Sequence, residues 1–250
     1  MPKIVAIIPS RFTSKRFPGK PLAMLGGLPI IVRVVNQARK ARLLDEVMVA
    51  TDDNRIAEAV IAHGGRAVLA DGDFACGSER VAFAAKNLEA DIVVNIQGDE
   101  PLIAPEVIDK VASCLIENPV DVMSSAVAPF DNPTDADNPN NVKAVLAKDG
   151  RALYFSRSRI PYWAAFDKGI NQRSDTPLYR HIGIYGFTRE FLQTFAALGR
   201  SPLEIAENLE QLRALENGYA IRCVVVKQEF SSIDSLEDLK TAERRLSVKR

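Results

Sequence analysis

Lys3-Ile4-Val5-Ala6-Ile7-Ile8-Pro9 is a buried-strand pattern, apolar from Ile4 onward, and runs straight into Ser10-Arg11-Phe12-Thr13-Ser14-Lys15-Arg16-Phe17-Pro18-Gly19-Lys20-Pro21. The first stretch reads as a β-strand buried in a sheet. The second holds four cations within ten residues and no acid. A strand that delivers a basic, hydroxyl-bearing, glycine-containing loop to a sheet edge makes a receptor for a polyphosphate, because fixed positive charge and donors meet concentrated negative charge. The loop therefore suggests a nucleoside triphosphate. The plain alternative is a solvated loop with a Pro18-Gly19 turn. Neither Gly-x-x-x-x-Gly-Lys-Ser/Thr nor Gly-x-Gly-x-x-Gly follows the strand, which weighs against an ordinary ATPase and a nicotinamide dehydrogenase.

Outward from that strand, apolar β-rich runs alternate with helical patterns. Pro29 suits a first helical turn, and Ile31, Val34, Val35 and Ala38 fall on one face. Glu46 to Ala50 reads as a second strand ending at Thr51-Asp52-Asp53, then a helix from about Arg55 to Ala62 closes at Gly64-Gly65. Arg66 to Ala70 is a third strand, and Asp91-Ile92-Val93-Val94-Asn95-Ile96 a fourth, apolar enough to be covered on both faces. The expected fold is α/β: a Rossmann-like mixed, mainly parallel sheet flanked by helices, with ligands beyond the carboxyl ends of the strands. Farther on, Val120 to Pro129 and Val142 to Ala147 are strand-like, separated by a turn-rich surface excursion. Lys148-Asp149-Gly150 has hairpin-turn chemistry and returns the chain into Ala152-Leu153-Tyr154-Phe155. A helix from about Pro202 to Asn217, a strand Ala220 to Val226 and a final helix from Ser235 are expected to complete the chain.

The 250 residues, 47% apolar and 26% charged, suffice for one large domain. Lys+Arg and Asp+Glu both count 32, so no basic excess argues for nucleic acid or an anionic membrane. No stretch reaches the roughly 18 apolar residues of a membrane helix, and the start lacks a secretory pattern, so a cytoplasmic protein is expected. Cys76, Cys114 and Cys223 are too few and too scattered for a disulfide framework or zinc site, and reduced thiols are expected.

Chemistry concentrates where strands end. Gln97-Gly98-Asp99-Glu100-Pro101 follows the fourth strand and brings a carboxylate to the rim that should carry the basic loop. One or two carboxylates with phosphate oxygens are the usual surroundings of magnesium. Asp99 is the leading ligand. Asp234 is a second if it faces the same rim, although its place before a helix also suits a capping residue.

The succession Ile7-Ile8-Pro9-Ser10-Arg11, Arg16-Phe17-Pro18-Gly19-Lys20-Pro21-Leu22, Val49-Ala50-Thr51-Asp52-Asp53, Cys76-Gly77-Ser78-Glu79-Arg80, Asn95-Ile96-Gln97-Gly98-Asp99-Glu100-Pro101, Ala152-Leu153-Tyr154-Phe155-Ser156-Arg157, Arg180-His181-Ile182-Gly183-Ile184-Tyr185 and Leu209-Glu210-Gln211-Leu212-Arg213 resembles the 3-deoxy-manno-octulosonate (Kdo) cytidylyltransferases, in family order over nearly the whole chain. The resemblance implies the nucleotide-diphospho-sugar transferase fold, with a small inserted β-rich sugar-binding and dimerisation lobe. It implies one domain, with about 1–118 as the nucleotide half and about 119–250 as the sugar-binding and dimerisation part. The implied reaction joins CTP and Kdo into CMP-Kdo with release of diphosphate, for lipopolysaccharide assembly, in a homodimer assisted by Mg2+. Carried onto matching positions, Ser10, Arg11, Arg16 and Lys20 would hold the triphosphate, and Ser78, Arg80 and Gln97 would surround the base and ribose. Asp99 and Asp234 would bind the metal, with Lys20 as a catalytic partner. Arg157, His181, Tyr185, Glu210 and Gln211 would form the sugar pocket, Arg157 pairing with the sugar's carboxylate. Tyr185 as a packing residue and Glu210-Gln211 as a solvated helix face are the plain alternatives.

Two departures stand out. Cys76-Gly77-Ser78 replaces the usual Ser-Gly-Thr, and Ser232-Ile233-Asp234-Ser235 replaces Gly-Val-Asp-Thr. Relatives acting on sialate or 8-amino-Kdo would share the nucleotide half but not the sugar pocket, and a non-catalytic nucleotide-binding protein would share the fold alone.

Overall fold

β1 (Ile4–Ser10) is the hub of the molecule, with parallel β4 (Glu46–Thr51) on one side and parallel β6 (Ile92–Ile96) on the other. Its unbroken apolar character has a direct cause: Ile4, Ala6 and Ile8 face one core while Val5 and Ile7 face a second. The first core is covered by α1 (Ile30–Ala38) and α4 (Pro105–Glu117), the second by α3 (Gly77–Ala85) and α5 (Arg189–Ala197). A strand buried on both faces gains about 1.5–3 kcal/mol for each large aliphatic side chain taken out of water, so no polar alternation is tolerated. The structure, a computed structural model, describes residues 1–13, 17–162, 177–227 and 232–248.

β5 (Arg66–Leu69) extends the parallel part beyond β4, after α2 (Asn54–Ala62), whose amino end is capped by the Asp53 carboxylate accepting from Arg55 N. On the other side, β10 (Tyr179–Thr188) runs antiparallel to both β6 and β7 (Met123–Pro129), and β11 (Ile221–Val225) pairs in parallel with β7. The sheet order is β11-β7-β10-β6-β1-β4-β5. β8 (Lys143–Leu146) and β9 (Ala152–Ser156) form the expected hairpin at Gly150, and β8 also pairs with β10, so this insertion branches from the main sheet. β2 (Met24–Leu25) and β3 (Leu28–Pro29) make a small hairpin ahead of α1.

One expected element is divided. The helix read over Pro202 to Asn217 is two short helices, α6 (Pro202–Glu207) and α7 (Leu212–Glu216). Asn208 has a left-handed backbone (φ 51), which no α-helix can continue through. The final helix, α8 (Leu236–Val248), lies where it was expected.

Candidate active site

The carboxyl ends of β1, β4 and β6 all open on one rim, and the basic loop turns back over it. Gly19 adopts a left-handed backbone (φ 70), and a Cβ there would stand 3.3 Å from the Phe12 ring. The short 3-10 turn Lys20–Leu22 follows and presents Lys20 to the rim. Gly98 has a related role, since a Cβ at that position would lie 2.9 Å from the Pro9 carbonyl oxygen. Only glycine lets the β6 loop approach β1 this closely. The resulting cavity is walled by Ser10, Arg11, Lys20, Arg80, Gln97 and Asp99. Ser10 Oγ is buried there with no hydrogen-bond partner among the described residues, as a group awaiting a ligand would be. Arg16, expected on the triphosphate, lies outside the described residues.

Lys20 Nζ donates to Asp99 Oδ2 at 2.8 Å and to Asp234 Oδ1 at 3.3 Å, so the two aspartates converge from sequence positions far apart. Ile233, fully buried against Leu25, Ile30 and Ala242, fixes the second loop, and Ile233 N donates to Asp99 O at 3.0 Å. Asp234 is not the cap of α8. Ser235 is: its Oγ accepts from Asp238 N (3.2 Å), while Asp238 Oδ2 accepts from the backbone N of Ser235 and of Asp234, leaving the Asp234 carboxylate turned to the rim. The Lys20 ammonium occupies the position of a cation between two carboxylates. Among the described residues no group of three or more His, Cys, Asp or Glu could hold a metal ion. A pair of hard oxygen donors suits a magnesium-like ion that takes its remaining ligands from phosphate and water.

Arg80 and Ser78 are placed differently from each other. Arg80 lines the cavity, but its NH1 donates to Ala70 O (2.6 Å) and its NH2 to Asp52 Oδ2 (3.0 Å). Asp52 also accepts from Phe12 N, tying the basic loop to β4. Ser78, expected near the base and ribose, is fully buried and does not line the cavity: its Oγ accepts from Asn95 Nδ2 (3.0 Å), and its N donates to Glu210 Oε2 (3.1 Å).

A second cavity adjoins the first and shares Cys76, Gly77 and Gln97 with it. His181, Tyr185, Glu210 and Gln211 all line it. A two-residue irregularity in the β10–β7 register between Ile182 and Tyr185 keeps His181 and Tyr185 on one face and brings Gly183 against the Gln97 side chain. The break at Asn208 turns Glu210 and Gln211 inward. Tyr185 OH donates to Gln211 Oε1 (3.0 Å), and His181 Nε2 lies 2.8 Å from Ser125 Oγ. Burial holds His181 down at about 3, a neutral imidazole at any ordinary pH. Burial raises Glu210, which accepts hydrogen bonds from the Cys76 thiol and Ser78 N, and burial pushes the Cys76 thiol up, so the cysteine in place of the usual serine is a weak donor rather than a nucleophile.

Arg157, expected in the sugar pocket, is held by backbone carbonyl groups. Its Nε donates to Glu207 O (2.7 Å), NH1 to Pro139 O (3.1 Å) and NH2 to Asn208 O (3.3 Å), and it does not line the cavity. Its guanidinium joins the surface excursion to the end of α6. Sequence reasoning missed three neighbours: Ser125, Glu100 and Arg180. Glu100, next to Asp99, is pushed up to about 8 by burial and then by Asp99, with Arg180 opposing. Both it and Arg180 line the second cavity, and the only signal for them was their adjacency to Asp99 and His181.

The sequence matches the Cytidylyltransferase family over residues 5–228. The 3-deoxy-manno-octulosonate cytidylyltransferase of Chloroherpeton thalassium is 43% identical over 249 residues, covering 99% of each chain. That of Desulfosudis oleivorans is 46% identical over 244 residues, covering 96% of each. A solved structure of CMP:2-keto-3-deoxy-manno-octonic acid synthetase complexed with CTP superposes with a TM-score of 0.92 at 34% identity, covering 99% of this chain and 100% of that one.

Proposed function

The chain belongs to the Cytidylyltransferase family, among the 3-deoxy-manno-octulosonate cytidylyltransferases, and on that premise we propose that it converts CTP and Kdo into CMP-Kdo and diphosphate. The observation that carries the reading is the shared wall of Cys76, Gly77 and Gln97, through which a phosphate-side cavity opens on a hydroxyl-reading cavity beside the Lys20, Asp99 and Asp234 cluster.

The anomeric oxygen of the sugar attacks the α-phosphorus in line, the bond to the bridging oxygen of the diphosphate breaks, the hydroxyl proton passes to solvent, and no enzyme nucleophile intervenes. Ser10, Arg11 and Lys20 hold the triphosphate, and Lys20 and Arg11 neutralise the departing diphosphate. Gln97 stands where the two substrates meet and orients them. Asp99 and Asp234 are the residues that hold magnesium, as their convergence on the Lys20 cation supports. When bound, the ion supplies charge neutralisation on the phosphates and a lowered pKa for the attacking hydroxyl. His181, Tyr185, Glu210 and Gln211 pair with the sugar hydroxyls, and a wrong sugar leaves those buried groups unpaired. We extend the reading to a homodimer in the cytoplasm, supported by exposed Leu153, Leu203, Ile205 and Val225 and by three free thiols.

Incubation with CTP, magnesium and a panel of Kdo, 8-amino-Kdo and sialate, with diphosphate release as the readout, tests the reading. Release with Kdo is expected. Release only with another acid, or nucleotide binding without release, overturns it.

A further inference from the structure

The wall between the two cavities is the segment that leads into α3. Cys76 and Gly77 line both cavities and Ala75 lines the second. Gly77 is packed close, since a Cβ there would lie 3.3 Å from Pro9 Cγ and 3.7 Å from Gln97 Oε1. Any shift of the segment therefore changes the space beside Gln97. The helix does little to hold its own lead-in, because Cys76, at the N-cap of α3, makes no side-chain capping bond.

Carboxylates hold it instead. Ala75 N donates to Glu79 Oε2 at 2.7 Å and Ser78 N to Glu210 Oε2 at 3.1 Å. Glu79 Oε1 is in turn paired with Arg213 NH1 at 2.8 Å. Arg213 is fully buried, and Glu204 takes its Nε and NH2 at 2.8 Å each. Its NH2 also stands 3.9 Å from Cys76 Sγ. One guanidinium thus fastens α6 and α7 to the first turn of α3. Stability alone is a weak reason to bury it, since apolar residues of like volume hold a core as well or better than a buried ion pair. What a planar fork supplies is fixed geometry. Arg213 follows Glu210 and Gln211 directly in α7, so the turn that presents the sugar-reading pair also anchors the wall beside the nucleotide.

Resting on the Kdo reading, we propose that Arg213 is a positioning residue for the transfer step: acting through Glu79, it fixes Ala75-Cys76-Gly77 against Gln97 and sets how the two substrates meet. A displaced wall leaves each substrate its own contacts and spoils their alignment, where about 1 Å costs about 100-fold in rate.

Glu79→Gln tests this with little change of size, because the single amide oxygen can accept from Ala75 N or from Arg213 but cannot serve both as the carboxylate does. It should lower kcat by at least about 10-fold, with the CTP dissociation constant and the KM for Kdo within about 3-fold. Arg213→Lys keeps the charge and loses the fork, and by itself should show the same split. The double variant should fall no further than the worse single one, as expected of residues that act as a unit. Asp121→Asn breaks a separate buried network, with Arg151 and Arg222, at the amino end of β7 opposite the rim, and should leave kcat within about 3-fold. The wall is read directly by iodoacetamide labelling of the half-buried Cys76, which should be at least about 10-fold faster in Glu79→Gln than in the parent or in Asp121→Asn. A loss confined to KM or CTP binding, additive losses in the double variant, an equal kcat loss in Asp121→Asn, or unchanged Cys76 labelling overturns the assignment. A parent enzyme that releases no diphosphate with Kdo overturns the Kdo reading, while the labelling comparison, which needs no turnover, still reads the hold of Glu79 and Arg213 on the wall.

Discussion

At His181 every hydrogen bond has a direction. Ser125 Oγ donates to Ile184 O at 2.8 Å, so His181 Nε2 carries the proton and donates to Ser125 Oγ. Nδ1 then accepts from Gln211 Nε2 at 3.5 Å, which leaves Gln211 Oε1 to accept from Tyr185 OH. Only a neutral imidazole satisfies this chain, and burial keeps it neutral by lowering the pKa from 6.5 to about 3. Between those values the unfolded chain binds a proton that the folded one refuses. The histidine's contribution to stability is thus complete above 6.5 and is lost as pH falls through that value toward 3. Urea unfolding at pH 7.5 and 5.5 should show about 1 kcal/mol less acid loss in His181→Gln than in the parent, and equal losses would mean that His181 titrates freely in the fold. Asp99 is the second residue whose chemistry is separable from folding, being half-buried at a loop with its backbone carbonyl, not its carboxylate, tied to Ile233. Asp99→Asn should keep the melting temperature and lose at least about 100-fold in kcat. Near-normal turnover in the folded variant removes the carboxylate from the reaction.

Asn208 decides where two helices end and begin, and its left-handed φ of 51 is costly for any residue with a Cβ lacking a polar side chain. Asn208→Ala should lower the unfolding free energy by about 1 kcal/mol, while Asn208→Gly should match the parent. The same midpoint for both variants in urea would show that the break is set elsewhere. This break also marks the limit of what pattern could reveal. The strands were legible because burial on both faces demands unbroken apolar runs, as in Ile4 to Ile8 and Ile92 to Ile96. Residues 202–217 compose well as one helix, and only the asparagine hinted otherwise. α4 carried a readable period in Val107, Ile108, Val111, Ala112 and Leu115 after Pro105, yet only tertiary structure shows it closing one face of the sheet. In the site, the rim positions of Ser10, Lys20 and Asp99 were legible because those residues follow buried apolar strands. Ser78, Arg157 and Arg180 were not, since the direction in which a long or buried side chain points depends on loops brought together from distant sequence.

Over the whole molecule, β10 joins what sequence order separates. It is hydrogen-bonded along β6, which carries the Asp99 loop, and along β7, which leads through β11 to the far edge of the sheet. Its residues enter both cores, Ile182 and Ile184 on one face, Tyr185 and Phe187 on the other. Pulling the nucleotide part from the sugar part would therefore break one continuous sheet and open both apolar layers at once. Such an arrangement unfolds as a unit. Ligand bound only at the phosphate-side cavity must then stabilise residues on the far side of the sheet as well. With CTP at 100 times its dissociation constant, the gain is about 2.7 kcal/mol, or roughly 5–10 °C for a chain of this size. Calorimetry should show a single transition that moves as a whole by that amount when CTP is added, with the Tyr179–Thr188 and Ile221–Val225 amides gaining hydrogen-exchange protection along with those of β1. A second transition left at the ligand-free temperature, or protection confined to β1, β4 and β6, would show that the two parts fold independently and that β10 is a contact rather than a bond between them.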